Sequence, residues 1–284
     1  MLQRLYTRRE LLRPFSLAAG MGALSGIGGL YAWQVEPYWL KVEQVSVSLP
    51  HLPEGAERLR IVQLSDLHLG PYVSLDHVAT AIQIANTFQP DLFVLTGDFV
   101  SRSATYLKPA IDLLRMLRAP LGTYAVLGNH DHWTDPYAIQ RYLNEGHVQV
   151  LSNRAVHLVE GDRGLWLAGV DDVWERRDDL YAALVDVPAE ACVIALVHEP
   201  DFVEKSAQAG ITLQLSGHSH GGQVRLPLIG ALVLPYLGRR YPIGLQRAGD
   251  TWVYTSRGIG VIYPPIRLNC PPEITLLTFH VGKD

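Results

Sequence analysis

Five apolar runs of this chain end in residue types that bind metal ions or transfer protons. The residues at these ends are Asp66 and His68, then Gly97 and Asp98, then Gly128, Asn129, His130 and Asp131, then His198, and last Gly217, His218 and His220. Each group alone is weak, because a Gly-Asp pair commonly belongs to a turn. All five groups arrive in order at the ends of strand-like runs. Together they predict one metal-dependent site.

The apolar runs belong to an alternation of strands and helices. Short apolar runs predict strands, and longer periodic stretches predict helices. The predicted strands are Val42–Val47, Leu59–Leu64, Leu92–Leu95, Tyr124–Leu127, Leu165–Val170, Val193–Val197, Ile211–Leu215, Trp252–Thr255 and Ile274–Phe279, and the predicted helices are Leu75–Phe88, Leu107–Leu117, Pro136–Leu143 and Asp179–Leu184. This order predicts an α/β fold with a mixed sheet, in one domain from Lys41 to Asp284. Sites in such folds gather beyond the carboxyl ends of strands, so the five ends should converge on one edge of the sheet.

The order of these residues resembles the signature of the calcineurin-like metallophosphoesterase family, and no motif position is missing. The resemblance implies a four-layer α/β/β/α sandwich with mixed sheets and a dinuclear metal site at the carboxyl ends of the strands. Three further runs resemble a bacterial membrane-associated phosphodiesterase branch, several members of which carry twin-arginine leaders. These runs are Gly221–Pro227, Ser256–Gly260 and Pro272–Ile274.

The same resemblance implies two metal sites that share one carboxylate. The implied ligands are Asp66, His68, Asp98 and His220 for the first ion, and Asp98, Asn129, His198 and His218 for the second. With two carboxylates among them, two divalent ions leave the site cationic by about two charges, which would attract a phosphate anion. Nitrogen and oxygen ligands without cysteine favour manganese, iron, zinc or cobalt. The resemblance favours manganese or iron, with zinc as a rival.

His130 and Asp131 are the predicted catalytic residues. A histidine beside a metal-bound phosphate can stabilise charge on the phosphoryl group and protonate the leaving oxygen. Asp131 could orient it through a hydrogen bond, or could be a solvated loop carboxylate. Three arginines downstream could clamp a phosphate, although salt bridges or surface positions are commoner roles for each alone. They are Arg225, Arg257 and Arg267.

The composition fits a globular enzyme and excludes some other classes. Of 284 residues, 48% are hydrophobic and 18% charged, unlike a disordered chain. A net charge of -4 gives no indication of a nucleic-acid partner. Cys192 and Cys270 are too few for a disulfide scaffold or a thiolate metal site.

The predicted activity is hydrolysis of a phosphodiester or diphosphate by attack of a metal-bridging hydroxide. The substrate would be a small phosphate ester or a lipid-linked molecule. One alternative is a membrane-anchored pyrophosphatase for a lipid precursor of the UDP-diacylglucosamine type, which would face the cytoplasm. Another is a non-catalytic metal-binding scaffold, but such proteins usually lack some ligands and here every position is filled.

Residues 1–40 have the layout of an export signal or membrane anchor followed by a linker. Four arginines, Arg4, Arg8, Arg9 and Arg13, precede a stretch without any charged residue between Pro14 and Val35. The run Thr7–Arg13 resembles a twin-arginine motif, and an ordinary signal-anchor helix is the alternative. We expect export by the twin-arginine machinery to the periplasmic side of the cell envelope, with a possible tether to the inner membrane. Cleavage of the leader stays open.

The segment Leu226–Leu237 is almost wholly apolar and directly follows the His218/His220 pair. A buried pair of strands is the commoner explanation for such a segment. The alternative is an apolar lip beside the site that contacts a membrane or a lipid tail. Burial of Leu228, Ile229 and Leu232 would exclude the lip.

Overall fold

The computed structural model describes residues 26–161 and 164–282. The twin-arginine run Thr7–Arg13 and the rest of the leader before residue 26 lie outside the described residues. In the described part the helices are α1 (residues 26–34), α2 (Leu75–Thr87), α3 (Leu107–Leu114), α4 (Asn129–Thr134), α5 (Pro136–Glu145), α6 (Leu180–Leu184) and α7 (Val203–Gln208). The strands are β1 (Lys41–Leu49), β2 (Arg60–Leu64), β3 (Leu92–Thr96), β4 (Thr123–Val126), β5 (Val148–Val150), β6 (Arg154–Val159), β7 (Leu165–Gly169), β8 (Cys192–Leu196), β9 (Leu213–Ser216), β10 (Arg225–Leu226), β11 (Gly230–Ala231), β12 (Gly244–Ala248), β13 (Thr251–Thr255) and β14 (Glu273–Val281).

Most of the strands form two six-stranded mixed sheets. The first has the order β1-β14-β2-β3-β4-β5, and the second has the order β12-β13-β9-β8-β7-β6. Strands β2 to β5 are parallel in the first sheet, where β14 lies antiparallel to β2. In the second sheet β7, β8, β9 and β13 are parallel, with antiparallel β6 and β12 at the edges. The predicted mixed sheet is therefore confirmed, as two sheets.

The two sheets pack face to face between two layers of helices. Ile61, Val94 and Leu277 of the first sheet are buried against Leu167 and Ile194 of the second. Helices α2, α3 and α5 cover the outer face of the first sheet, and α6 and α7 cover the second. Because β3 and β8 are covered on both faces, every residue in them is buried, which explains their uninterrupted apolar sequence. The four-layer α/β/β/α sandwich is confirmed.

The nine predicted strands and four predicted helices are all present, with ends displaced by at most a few residues. The sequence analysis missed β5, β6 and β12, as well as α4 and α7. Residues of β6 are only exposed or half-buried, so this edge strand lacks the apolar signal of a core strand. Helix α4 begins at Asn129 and is mostly polar, because its residues belong to the site.

The segment Leu226–Leu237 does not form the buried strand pair that was the commoner explanation, and that expectation is wrong. Strands β10 and β11 have two residues each and pair only with one another. Leu228 is fully exposed, Ile229 is 71% exposed and Leu232 is 54% exposed. With two-residue strands and no third partner, this hairpin has no sheet to be buried in.

The residues just before Lys41 pack on the sandwich. The Ala32 carbonyl accepts a hydrogen bond from the Arg267 backbone N–H at 2.8 Å. The buried Glu36 carboxylate accepts one from the Cys270 N–H. None of the helices within residues 26–161 and 164–282 is both long and apolar enough to cross a bilayer.

Candidate metal centre

The predicted site residues converge between the carboxyl ends of the two sheets. The expectation of one sheet edge was incomplete: Asp66, His68, Asp98 and Asn129 follow strands of the first sheet, whereas His198, His218 and His220 follow strands of the second. All seven side chains are buried. Backbone hydrogen bonds tie the loops together, from Asp66 N–H to the Gly97 carbonyl and from Gly217 N–H to the His198 carbonyl, both 3.0 Å.

Asp98 lies between the two groups of ligands. Its Oδ2 atom is 3.3 Å from His68 Nε2 and 3.3 Å from His198 Nε2. His220 Nε2 lies 3.5 Å from Asp66 Oδ1 and 3.0 Å from His68 Nε2. A carboxylate with one histidine from each sheet beside it can bridge two cations.

Asn129 and His218 complete the second group. The amide oxygen of Asn129 is 3.1 Å from His218 Nδ1. The His218 ring contacts the His198 ring edge to face, with centroids 5.0 Å apart. The Asn129 amide oxygen, from α4, and His218 Nδ1, from the loop after β9, therefore lie close to each other and to the His198 imidazole.

The outward nitrogens of three histidines are held by oxygen atoms, which directs the other nitrogen inward. His218 Nε2 lies 2.8 Å from the Tyr236 carbonyl, and His198 Nδ1 lies 2.6 Å from the Thr96 carbonyl. His68 Nδ1 lies 3.1 Å from Ser101 Oγ. An N–H donated to these oxygens leaves a lone pair on the inward nitrogen, the usual arrangement of metal-binding histidines.

The buried donors fit divalent cations. His198 Nε2, which faces Asp98, is buried without a hydrogen-bond partner in the described part of the chain. The Nε2 atoms of His68 and His220 are too close at 3.0 Å for two lone pairs unless a proton or a cation lies with them. Clustered ligand atoms are also found for Asp66, Asp98 and His198. Imidazole, carboxylate and amide donors suit manganese, iron or zinc.

The electrostatics of the cluster favour positive charge beside Asp98. Burial alone would raise the pKa of Asp98, but His198 and His130 hold it well below its usual range. Burial would lower the pKa of His198, but Asp98 and Asp66 raise it well above its usual range. His218 has the opposite shift, because burial and His198 lower its pKa to about 3 and keep it neutral. Negative charge is thus retained on Asp98, where a cation stabilises it.

The backbone at the site is strained. Asp66, His68, Asp98, His218 and His220 all have positive φ angles between 47° and 66°. The left-handed region is uncommon for residues other than glycine, although Asp and His enter it more readily than most. Such conformations cost free energy and persist where the surrounding structure enforces them, typically at functional sites.

Two glycines are required because side chains of the site approach their backbone. A Cβ atom on Gly217 would lie 1.9 Å from Ser65 Oγ and 2.3 Å from Asp66 Oδ2. A Cβ atom on Gly128 would lie 2.3 Å from Asp98 Oδ1. Any larger residue would displace a carboxylate of the site.

Asp131 does not orient His130, as the sequence analysis had considered, nor is it a solvated loop carboxylate. It is fully buried, and its oxygens accept hydrogen bonds from the backbone N–H groups of Asp98 (2.8 Å), Phe99 (2.9 Å) and Gly128 (3.0 Å). Burial and the nearby Asp98 raise the pKa of Asp131 to about 7. Asp131 therefore positions the two loops that carry Asp98 and Asn129.

His130 lies at the open side of the cluster. Its backbone N–H donates to Asp98 Oδ1 at 2.9 Å, and its ring contacts those of His68 and Trp133. The Nδ1 atom is buried and unpaired within the described residues. Burial, with His68, His198 and Arg102 nearby, lowers its pKa to about 4, so the imidazole is neutral at neutral pH.

A cleft of about 450 Å³ opens above the cluster. Its floor includes Asp98, Asn129, His130, His218 and His220, and its walls are Pro71, Tyr72, Ser101, Arg102, Trp133, Trp174, Pro235, Ile262 and Tyr263. The arrangement places a floor of carboxylate, amide and imidazole donors beneath largely aromatic walls, as in many small-molecule sites.

Arg102 is a site residue that the sequence analysis missed. Its guanidinium carbon lies 4.9 Å from the centroid of a Trp133 ring, and it forms no ion pair among the described residues. Its place four residues after Asp98 on the β3 loop was the available signal. The three arginines considered earlier are used elsewhere: Arg225 donates to the Gly221 carbonyl, Arg257 pairs with Glu43 and Glu273, and Arg267 is buried among backbone carbonyls.

The family model for calcineurin-like phosphoesterase matches residues 59–222, which contain all of these ligands. The chain belongs to this family. It is 36% identical over 278 residues to the metallophosphoesterase YkuE of Bacillus subtilis, covering 96% of this chain and 97% of that one. It is 33% identical over 276 residues to the phosphodiesterase YaeI of Escherichia coli, covering 95% and 98%. A transmembrane protein with a metallophosphoesterase domain from Bos taurus is 35% identical, over 97% of this chain and 64% of that protein.

The family membership makes the chain a metal-dependent phosphoesterase. Members of this family use divalent metal ions, and the buried cluster supplies a donor set of the right chemistry.

Proposed function

We propose that this metallophosphoesterase is a phosphodiesterase with two divalent ions at the buried cluster. Asp66, His68, Asp98 and His220 would hold one ion, and Asp98, Asn129, His198 and His218 the other. The observation that carries the proposal is the convergence of these donors from five strand ends beneath one cleft, which Asp98, Asn129, His218 and His220 line directly. Divalent ions held there would neutralise charge on a phosphate and lower the pKa of a bound water. Manganese or iron, with zinc as a rival, suits the donors.

His130 is the proposed catalytic residue of the chain. It lines the cleft, and its neutral imidazole carries one N–H that can donate to a phosphate oxygen. A histidine in this position can stabilise charge on the phosphoryl group and pass a proton to the leaving oxygen. Its contact with Trp133 limits the orientations of the ring.

The cleft suits a diester better than a monoester. Arg102 is the only lysine or arginine among the described residues that line it. A diester carries one negative charge and a monoester up to two, so a single guanidinium beside the metal ions suffices for the diester. Aromatic walls on two sides, Trp133 with Trp174 and Tyr72 with Tyr263, leave room for two ester substituents. The similarity to YaeI, a phosphodiesterase, supports the same class.

The test is metal-restored hydrolysis by the full chain. After removal of metals with a chelator, we expect added manganese to restore hydrolysis of bis(p-nitrophenyl) phosphate more strongly than hydrolysis of p-nitrophenyl phosphate. His130→Ala should keep both metal ions, as measured by inductively coupled plasma mass spectrometry. Its kcat should fall by about 100- to 10,000-fold. His157→Ala, whose ring stacks on Trp166 away from the cleft, is the matched control. Full activity of His130→Ala would refute the assignment. A folded, metal-loaded chain without turnover would indicate the scaffold alternative.

We also propose a domain organisation for the chain. Residues 41–284 form one metallophosphoesterase domain, and a twin-arginine leader before it also anchors the protein to the membrane. The expected location is the periplasmic side of the inner membrane, reached through the twin-arginine machinery. Arg8→Lys with Arg9→Lys should retain the protein in the cytoplasm, as measured by cell fractionation. A cytoplasmic location of the unaltered protein would instead favour the lipid-precursor pyrophosphatase, which needs that orientation.

A further inference from the structure

An exposed apolar hairpin stands beside the cleft. This apolar hairpin, residues 225–233, contains β10, β11 and the turn that joins them. Leu228, Ile229 and Val233 are each more than two-thirds exposed. Single exposed apolar residues are ordinary, but contiguous ones at the tip of a protrusion mark a contact surface.

The apolar hairpin is fixed at its root, so its tip is held outward. On one side Arg225 N–H donates to the Leu268 carbonyl at 2.9 Å. On the other, the Tyr236 carbonyl lies 2.8 Å from His218 Nε2, and Pro235 lines the cleft. Leu228 at the tip has a φ of 67°, a conformation that disfavours a branched apolar residue. The fold therefore holds an apolar side chain in solvent at a cost in free energy.

The chain on either side of the apolar hairpin is rich in arginine. Residues 221–249 contain four arginines and no acidic residue. Arg239 and Arg240 follow the apolar segment and are exposed, and Asp201 accepts hydrogen bonds from their backbone N–H groups. The Arg240 guanidinium pairs with Glu204, whereas Arg239 forms no ion pair with another described residue. An apolar tip with the exposed Arg239 behind it complements a surface with an apolar interior and an anionic rim.

The apolar N-terminal segment enters the fold at the same place. The Ala32 carbonyl in α1 accepts from Arg267 N–H, and the neighbouring Leu268 pairs with Val224 and Arg225 at the root of the apolar hairpin. Ile27 and Leu30 of α1 are more than half exposed. The chain that leads into α1 has no charged residue after Pro14. Two apolar elements thus meet the sandwich through consecutive residues, 267 and 268.

We propose that the apolar hairpin inserts into the surface of a lipid bilayer that contains anionic lipids, and so brings the mouth of the cleft to the membrane. The tip is too small for a stable protein interface, which usually buries about 800 Å² per partner. It suits shallow insertion, since a few apolar side chains and adjacent arginines are sufficient for interfacial binding. The inference goes beyond the proposed hydrolysis and does not rest on it.

The first test measures vesicle binding of the full chain. Leu228→Asp with Ile229→Asp should lower the partition constant onto phosphatidylethanolamine–phosphatidylglycerol vesicles by about tenfold or more, measured by flotation. The matched control is Tyr181→Asp with Val185→Asp, because both residues are exposed and mainly apolar, Tyr181 on α6 and Val185 directly after it. The control should bind as the unaltered chain does. Circular dichroism spectra and urea unfolding midpoints should be unchanged in all variants, which reports that they fold.

The second test separates the apolar hairpin from the leader, which could hold the chain on vesicles by itself. Both native cysteines are buried, so a thiol-reactive fluorophore on Leu228→Cys labels one accessible position. Vesicles should shift its emission to the blue, and spin-labelled lipids should quench it. The same fluorophore on Tyr181→Cys should show neither effect.

Each outcome decides the proposal. A blue shift and quenching at position 228, with weaker binding of the hairpin variant, supports it. Vesicle binding without any response at position 228 overturns it, because the leader then acts alone. A response at position 228 that needs no vesicles and rises with protein concentration, with dimers in sedimentation, also overturns it in favour of a second copy of the chain.

Discussion

Replacing Asp131 with asparagine tests whether this carboxylate positions the metal ligands rather than taking part in catalysis. Its Oδ2 accepts from the Asp98 and Gly128 N–H groups, and its Oδ1 accepts from Phe99 N–H. Asparagine has one oxygen, which can keep two of these donors. Its NH₂ group then faces the third, so one buried N–H loses its partner, at a cost of about 1–3 kcal/mol. The two kept bonds lose their charge, about 1 kcal/mol each.

The raised pKa of Asp131 offsets the cost of the lost hydrogen bonds in the metal-free chain, but not in the metal-loaded chain. Burial and Asp98 raise the pKa of Asp131 to about 7 from an ordinary value near 4. Between those pH values the folded chain holds a proton that the unfolded chain has released, so the metal-free protein loses stability as the pH rises through this window. Asparagine does not titrate, so the variant avoids this loss of stability. At neutral pH the gain offsets the free-energy cost of the lost hydrogen bonds. Metal ions beside Asp98 relieve the same repulsion, so the substitution lacks this compensation in the loaded protein.

Asp131→Asn should therefore leave the unfolding free energy of the metal-free chain within about 1 kcal/mol and destabilise the loaded chain by roughly 3–5 kcal/mol. By linkage, this difference is a loss of metal affinity of about 100- to 4,000-fold. Urea unfolding with and without manganese and calorimetric titration measure the two quantities. Asp112→Asn, on the solvent-exposed side of α3, is the control and should change neither the unfolding free energy nor the metal affinity. Unaltered metal affinity with lost turnover would refute the positioning role and make Asp131 a catalytic residue.

Three further substitutions have definite expected outcomes. Arg102→Ala should raise KM for the diester about ten- to 100-fold, as expected for a lost charged hydrogen bond, whereas Arg141→Ala, a similar arginine stacked on Tyr142, should have no effect in the same assay. Gly217→Ala should displace Asp66, cost about 1–3 kcal/mol in urea unfolding and weaken metal binding, and Gly28→Ala, with open space around its Cβ, should do neither. Burial lowers the pKa of His77, so the unfolded chain binds a proton first as the pH falls below about 6.5, and stability is lost. The slope of the unfolding free energy against pH reports how many more protons the unfolded chain binds than the folded one. His77→Gln should lower this number by up to about one in urea unfolding at several pH values, and an unchanged slope would refute the prediction.

The site residues could be predicted because each follows a short apolar run. A strand buried on both faces has an apolar sequence, and its end is visible where polar residues begin. His198 stands directly at such an end, and Asp66 and Asp98 lie within two residues of one. Their convergence could be predicted in outline from the rule on strand ends, but the presence of two sheets could not, because strand order depends on long-range pairing. Asp98 lies between ligands of both sheets as a result of that pairing.

Features decided by tertiary contacts were not predictable in the same way. From the sequence, Asp131 could orient His130 or be a solvated loop carboxylate, and only the fold brings its oxygens to three backbone N–H groups. The nearness of Arg102 to Asp98 in the sequence was a weak signal by itself, because the contact of its guanidinium with Trp133 depends on how the β3 loop meets α4. The exposure of Leu228 could not be read from apolar content, since burial needs a partner surface that β10 and β11 lack.

The division of the ligands between two sheets couples the metal centre to the fold. The cluster closes the sandwich at its carboxyl edge, where loops from both sheets meet in strained conformations. Without compensation, that strain and the buried carboxylates would favour separation of the loops. Cations between Asp66, Asp98 and the histidines stabilise both at once, because they bind the folded chain and have no such site in the unfolded one. The arrangement suited to binding a phosphate is then also the arrangement that holds the two sheets together at this edge.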